Sequence, residues 1–203
     1  MATLARAEAL KIIAEVFPHE PTVVTLGATV RELIATVGKR DNDFYVLDSM
    51  GLPVAIGLGI ALGRPENPEK IVVIEGDGGL LMGLSALPTV GYLKPKNLVI
   101  LVLDNGTYAS TGGQPTAATT TDFAAVAAGC GIHGVTVNDE ASFRAALADA
   151  RQTDGPTLVR MMIDQRSIKT PYLLEDPILL SAAFRRLVGK TSLPGPRSII
   201  AME

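Results

Sequence analysis

Residues 70–108 read KIVVIEGDGGLLMGLSALPTVGYLKPKNLVILVLDNGTY, and the fold follows from this stretch. It contains two apolar, β-branched runs, 70–74 and 98–103, each ending abruptly in polar turn residues. Such short continuous runs bounded by turn signals have the pattern of fully buried strands. The first is followed by Gly76-Asp77-Gly78-Gly79 and the second by Asp104-Asn105-Gly106-Thr107. A helix from about Leu80 between them completes a βαβ unit with a parallel strand pair. Both polar turns then lie on the carboxyl edge of one sheet, where open α/β sheets bind ligands.

The first turn has the makings of an anion cradle. Glycines let backbone N–H groups approach a phosphate, and the positive end of the following helix points at the same place. It is neither the dinucleotide fingerprint, which needs a third glycine, nor a P-loop, which needs a Gly-Lys-Ser/Thr. The oddity is Asp77, a carboxylate inside an anion-binding turn, where it repels a phosphate. A hard cation between the two removes the conflict. Asp77 and the amide of Asn105 are suitable oxygen ligands for Mg²⁺, which often shares phosphate oxygens. Taken singly, each is an ordinary helix-start or turn residue; their pairing at the ends of two neighbouring strands is what points to a site.

Gly76-Asp77-Gly78, followed 28 positions after Asp77 by Asn105, resembles the signature of thiamine diphosphate (ThDP) enzymes. That signature is Gly-Asp-Gly, then Asn-Asn after about 25 residues. The resemblance assigns Mg²⁺ to Asp77, Asn105 and the carbonyl of Thr107. It departs from the commoner pattern at Asp104, where the first Asn stands, so the hydrogen bonds around that position must differ. The strings LDNGTYASTGGQPT and FYVLDSMGLPVAIGLGIALG are similar to sulfopyruvate and phosphonopyruvate decarboxylases, and the likeness runs from about residue 7 to 163. The implied fold is α/β, a three-layer doubly wound sheet, mainly parallel, of the ThDP diphosphate-binding type. The implied domain is 1–163, with 164–203 a tail that packs on the domain or on a partner and then frays.

Working outward, residues 3–17 have the pattern of an amphipathic helix ended by Pro18 and Pro21. A strand over 22–26 leads through Gly27-Ala28-Thr29 into a helix to about Val37, a second strand–turn–helix whose turn is a weaker diphosphate contact. A strand over 44–47 precedes Asp48-Ser49-Met50-Gly51 and a helix over 53–62 that opens on Pro53. This helix is apolar nearly all round and therefore needs cover on most sides, from this chain or another subunit. A Met in that place is ordinarily a gap-filler. In ThDP enzymes, however, a bulky apolar residue here props the cofactor into its bent conformation, a role the resemblance gives to Met50. The backbone around Asp48, Ser49, Met50 and Gly51 would hold the aminopyrimidine.

Beyond the metal turn, the resemblance places Tyr108 beside the cofactor, and residues 109–121 are polar and Gly/Thr-rich, the composition of a surface loop. The resemblance lays this loop over the cofactor, which makes Ser110, Thr111 and Gln114 candidates for substrate contact. Further elements are a helix from 122 capped by Thr121 or Asp122, a strand over 134–137, a helix over 142–151 and a last strand over 157–163. His133 is expected to be structural, Cys130 a small buried residue, and Arg166 and Lys169 solvated cations.

Composition narrows the classes. With 203 residues, 47% hydrophobic, 20 Gly and no Trp, the chain is long enough for one well-buried α/β domain. A net charge of −3 without a basic run argues against nucleic acid as the main partner. A lone cysteine excludes an internal disulfide and a Cys-rich zinc or iron–sulfur centre, and with it a ferredoxin-linked oxidoreductase subunit. The apolar stretch over 52–62 is too short to span a bilayer. Without a secretory or transit pattern, the cytoplasm is the expected location.

In the family that these strings resemble, the activating glutamate sits on a separate pyrimidine-binding domain, and nothing in this sequence plays that part. The resemblance therefore implies the β subunit of a two-subunit decarboxylase. Its α subunit would supply the Glu in an assembly of at least α2β2, with an acidic 2-oxo acid as substrate. Sulfopyruvate is the first expectation; phosphonopyruvate, another split decarboxylase or a carboligase are alternatives, as is a cofactor-binding subunit without activity of its own.

Overall fold

The computed structural model describes residues 3–65, 69–172 and 176–189. Six strands form one wholly parallel sheet: β1 (Thr22–Val24), β2 (Asp43–Tyr45), β3 (Ile71–Gly76), β4 (Leu98–Asp104), β7 (His133–Val137) and β8 (Thr157–Met162), in the order β2-β1-β3-β4-β8-β7. A separate two-stranded ribbon pairs β5 (Thr107–Tyr108) with β6 (Gln114–Pro115). The central strands are buried on both faces, which is why they read as unbroken apolar runs. Their side chains alternate between two cores. Val72, Ile74, Val99 and Leu101 face α1 (Arg6–Val16), α2 (Ala28–Val37) and α7 (Glu140–Gln152). Ile71, Val73, Leu98 and Ile100 face α3 (Pro53–Leu62), α4 (Asp77–Met82), α5 (Ala86–Leu93) and α6 (Phe123–Gly129). The result is the three-layer doubly wound architecture expected from the sequence. Each fully buried Leu, Ile or Phe in these layers contributes about 1.5–3 kcal/mol of transfer free energy.

The topology also fixes where a ligand can sit. From β1 the chain moves outward to β2, whereas from β3 it moves the other way to β4, and the following helices α2 and α4 lie in opposite layers. The turns after β1 and β3 therefore diverge, which opens a crevice at the carboxyl edge of the sheet.

Two details depart from the sequence reading. The crossover helix begins at Asp77 itself rather than near Leu80, and it is broken into α4 and α5 around residues 83–85. A continuous helix would need an N–H at position 88 to reach the Leu84 carbonyl, and Pro88 has none, so the proline sits in the first turn of a new helix instead. The segment after β8 contains α8 (Pro177–Val188), N-capped by Asp176, whose carboxylate accepts from the Ile178 N–H at 2.8 Å. Leu180 and Phe184 of α8 are buried, and the Phe184 ring lies 5.4 Å from that of Phe44 on the edge strand β2. The fraying expected at the extreme end falls on residues 190–203, outside the described residues.

Smaller expectations resolve as follows. The α6 cap is Asp122, whose carboxylate accepts from the N–H groups of Ala124 and Ala125 at 3.0 and 3.1 Å. Cys130 is half-buried rather than buried. His133 is exposed at the start of β7, with its Nε2 3.7 Å from Asp149. Arg166 is exposed and paired with Asp164 at 2.6 Å. Among the described residues no helix is long and apolar enough to cross a membrane.

Candidate functional site

A cleft open to solvent occupies the crevice between β1 and β3. Three turns wall it: Thr25, Leu26, Ala28 and Thr29 after β1; Glu75 to Gly79 at the end of β3 and start of α4; and Leu103 at the end of β4 with Asn105, Thr107 and Tyr108 to Thr111 after it. Met50 and Arg6 complete the lining. Of the residues singled out in the sequence, Ala28, Met50, Gly76, Asp77, Gly78, Gly79, Asn105, Thr107, Tyr108, Ser110 and Thr111 thus share one cavity. Gly27 lies directly behind it, 3.1 Å from the Ser110 hydroxyl as measured from where a Cβ would stand. Asp48 and Ser49 line a different hollow, between β2, α3 and α8. Gln114 is not in the lining; its amide is engaged with Thr111 across the ribbon loop, at 3.1 Å in each direction.

Close backbone approaches hold these turns in place. Gly51 abuts Gly83 at the end of α4 so tightly that a Cβ on Gly83 would lie 2.0 Å from the Gly51 carbonyl oxygen. This contact pins the Met50 turn to the helix that begins at Asp77. On the opposite wall the Tyr108 ring covers Gly78, where a Cβ would meet it at 2.3 Å.

Asp77 is buried, and its carboxylate accepts a short hydrogen bond from the Thr116 hydroxyl. Burial raises its pKa and the neighbouring charge of Asp104 raises it further, while the Thr116 hydrogen bond works the other way. Glu75, directly beneath the turn, is pushed up to about 7, chiefly by burial, against opposing hydrogen bonds from the Thr25 hydroxyl and the Gly76 N–H. Its other oxygen, Oε2, is buried without a hydrogen-bond partner. After β4, two successive side chains fold back on the backbone: Asp104 Oδ1 accepts from Gly106 N–H at 2.9 Å and Asn105 Oδ1 from Thr107 N–H at 3.1 Å. These Asx-type turns shape the loop that carries Asn105 to the cleft.

Several residues of the site left no recognised signal in the sequence. Arg160, a lone cation within β8, donates from Nε to Asp104 Oδ2 at 2.8 Å, and its Nη2 lies 2.6 Å from the same oxygen as an ion pair. This is the altered hydrogen bonding that Asp104 requires in place of the commoner Asn. Thr116 lies in a segment that reads as generic loop. Arg6, on α1, pairs with Glu32 at 2.9 Å, and Glu32 also accepts from the Ser167 hydroxyl at 2.6 Å. Its place within an amphipathic helix gave no hint that it borders a cavity.

The donor set suits a hard cation. Asp77 supplies a carboxylate whose burial and acidic neighbour disfavour its charge, a cost that a divalent ion offsets; Asn105 and Thr107 supply neutral oxygens. Among the described residues, no cluster of three or more His, Cys, Asp or Glu side chains offers a competing site.

A switch-point cleft with a Gly-rich helix start on one side and an acid–amide pair across two strand ends defines a phosphate-cofactor domain of the doubly wound class. Residues 35–161 match the family described as thiamine pyrophosphate enzyme, C-terminal TPP binding domain. The chain belongs to this family. It is 46% identical over 167 residues to a phosphonopyruvate decarboxylase of Streptomyces viridochromogenes, a match covering 80% of this chain and 41% of that protein. To the sulfopyruvate decarboxylase subunit beta of Methanococcus maripaludis it is 38% identical over 156 residues, covering 77% of this chain and 82% of that subunit. The chain spans only about two fifths of the phosphonopyruvate decarboxylases it matches, 41% and 39% of their lengths. Its fold superimposes on a ThDP-dependent 4-hydroxybenzoylformate decarboxylase of Rhodococcus jostii with a TM-score of 0.68 at 22% identity, over 81% of this chain and 33% of that one.

Proposed function

We propose that this chain is the diphosphate- and Mg²⁺-binding component of a ThDP-dependent 2-oxo acid decarboxylase, with 3-sulfopyruvate as substrate and sulfoacetaldehyde and CO₂ as products. The observation that carries this reading is the convergence of Asp77, Asn105 and Thr107 on one switch-point cleft. Their similarity to the ThDP signature, in a chain of the TPP-binding family, supports the assignment.

In this reading Asp77, Asn105 and the Thr107 carbonyl hold Mg²⁺. The N-termini of α2 and α4, at Gly27-Ala28 and Gly76 to Gly79, face the diphosphate with backbone N–H groups. Glu75 accepts from the Gly76 N–H at 2.9 Å and lines the cleft together with Thr25 of the other turn, beneath the anion. Met50, 37% exposed and lining the cleft, presents an apolar surface to the cofactor, and its backing by Gly51 and Gly83 keeps that surface in place. Tyr108, Ser110 and Thr111 close the opposite wall, where Ser110 and Thr111 are available to the substrate. The bound cofactor supplies a thiazolium that takes up the electron pair left when CO₂ departs. The activating glutamate comes from a pyrimidine-binding α subunit in an assembly of at least α2β2; the relatives that this chain nearly spans are named beta subunits, which favours that arrangement. The cofactor-binding domain is placed at residues 1–163, and α8 beyond it packs on the edge strand through Phe184 against Phe44.

Phosphonopyruvate is the second reading, favoured by the 46% identity to a phosphonopyruvate decarboxylase. The deciding experiment measures CO₂ release by the chain mixed with its pyrimidine-binding partner, ThDP and Mg²⁺, on sulfopyruvate, phosphonopyruvate and pyruvate. Preference for sulfopyruvate is expected. Preference for phosphonopyruvate transfers the assignment to the second reading. No activity on any of the three with a competent partner refutes both, and activity of the chain alone refutes the split site.

A further inference from the structure

Asp104 and Arg160 form a buried ion pair that the reaction described above does not use. Both residues lie on the α3–α6 face of the sheet, in the layer that holds Leu98, Ile100, Val102 and Leu158. In the parallel register Arg160 stands opposite Val102, one step diagonally from Asp104. Their side chains are 9% and 1% exposed. The guanidinium is fully engaged: besides Asp104 Oδ2, it donates from Nη2 to the Ala118 carbonyl at 2.8 Å and from Nη1 to the Thr121 carbonyl at 3.2 Å. Its carbon lies 4.9 Å from the centre of the Phe123 ring.

These bonds brace, from the sheet side, two segments of the cleft that also meet directly where the Thr116 N–H donates to the Gly106 carbonyl at 2.9 Å. One is the loop 104–107, which carries Asn105 and Thr107. The other is the strap 116–121, which carries Thr116, the hydroxyl that holds the carboxylate of Asp77. We propose that Arg160 is a positioning residue for the metal site, fixing through Asp104 and the strap carbonyls the relative placement of Asn105 and Asp77. This rests on the reading of the cleft as a Mg²⁺–diphosphate site.

The chemistry of Asp104 supports a second effect of the pair. Its carboxylate is adjacent in sequence to Asn105 and close enough to Asp77 for the two charges to oppose each other. Left unpaired, it would be the strongest competing oxygen ligand beside the site. Instead Oδ2 accepts from the guanidinium Nε, with Nη2 close by as an ion pair, and Oδ1 accepts from Gly106 N–H, and Asp104 is absent from the cleft lining while Asn105 is present. The fork of an arginine, with its several fixed donors, suits this three-way contact in a way that a lysine does not. Partners that orient metal ligands in this manner are worth about 10–100-fold in metal affinity.

The test is a Mg²⁺ titration of the full chain at saturating ThDP, followed by calorimetry and by the ligand-dependent rise in melting temperature. Arg160→Met should weaken Mg²⁺ by about tenfold or more. The double variant Asp104→Asn, Arg160→Met removes both charges and should recover to within about threefold of wild type, because replacing a whole buried pair is far milder than breaking it. Unchanged affinity in Arg160→Met, or a double variant as weak as the single one, overturns the proposal, the latter by reducing Arg160 to a packing role. If Arg160→Met does not fold, the double variant decides alone: recovery supports the proposal and loss of about tenfold or more overturns it. A wild-type chain without any ThDP-linked Mg²⁺ response removes the assignment of the cleft and this proposal together, whereas a responsive wild type with an equally responsive Arg160→Met removes only the proposal.

Discussion

Gly83→Ala tests the contact that positions Met50. The added Cβ would stand 2.0 Å from the carbonyl oxygen and 2.8 Å from the carbonyl carbon of Gly51. Both are backbone atoms, so no side chain can swing aside. Non-bonded heavy atoms rest at about 3.5 Å, and the two turns must therefore separate by more than about 1 Å. Overpacking of this kind costs about 1–3 kcal/mol. In a chain of this size each kcal/mol lowers the melting temperature by about 2–4 °C, which gives an expected fall of roughly 2–12 °C. Since Met50 adjoins Gly51, it shifts with the turn, and a displacement near 1 Å at a reacting site is worth up to about 100-fold in rate. The measurements are thermal melting of the ligand-free chain by circular dichroism and CO₂ release by the reconstituted complex. Gly59→Ala is the internal control. It lies on the exposed side of α3 with nothing within 4 Å of its would-be Cβ, and should gain about 0.5–1 kcal/mol from helix propensity. A Gly83→Ala chain that melts and turns over like wild type would refute the argument, because it would show that the two turns separate without resistance.

Three further outcomes follow from the same geometry. Asp77→Asn should weaken ThDP binding in Mg²⁺ by more than about tenfold through loss of the charged ligand. The ligand-free chain should meanwhile melt no lower than wild type, because burial and Asp104 already disfavour the charge; calorimetry and melting curves check the pair of effects, and unchanged binding would show that the metal lies elsewhere. Met50→Ala should reduce turnover more than cofactor affinity, and equal losses in steady-state kinetics and in binding would mark it as packing alone. Glu75, raised from 4.5 to about 7 in the folded chain, keeps its proton over a range in which the unfolded chain has lost it. The ligand-free protein should therefore lose stability as pH rises from about 4.5 to about 7. Glu75→Gln should flatten that part of the profile in urea titrations, and an unaltered slope would locate its cause elsewhere.

The sequence carried the central βαβ unit well because burial on both faces leaves a run of apolar residues and because turns at strand ends are rich in Gly, Asp and Asn. Helix α3 was found at the observed bounds, since Pro53 marks its start. Local signals failed where partners are distant. Arg160 reads as an ordinary residue of a strand, TLVRMM, and its partner lies 56 positions away in the chain. Neither is there a local sign that β8 inserts between β4 and β7, which brings Arg160 beside Asp104. Arg6 and Thr116 were missed for the same reason: each gains its place from tertiary packing rather than from its neighbours in sequence. The break between α4 and α5 and the helix α8 were different failures. Pro88 signals the first, and the Asp176-Pro177 start followed by an apolar run signals the second, so both were legible from general rules on proline and capping.

The position of β8 has a consequence for how the protein comes into being. This strand is the last of the sheet to leave the ribosome, yet its place is interior, flanked by β4 and β7. Until it arrives, β4 is an open edge and β7 has no hydrogen-bonded neighbour in the sheet. A nascent or truncated chain that stops short of residue 157 therefore lacks both the strand that joins β7 to β4 and the cation that Asp104 requires. Ligand-binding competence is thus postponed until β8 has been made, and retention of cofactor would report that translation had run past it.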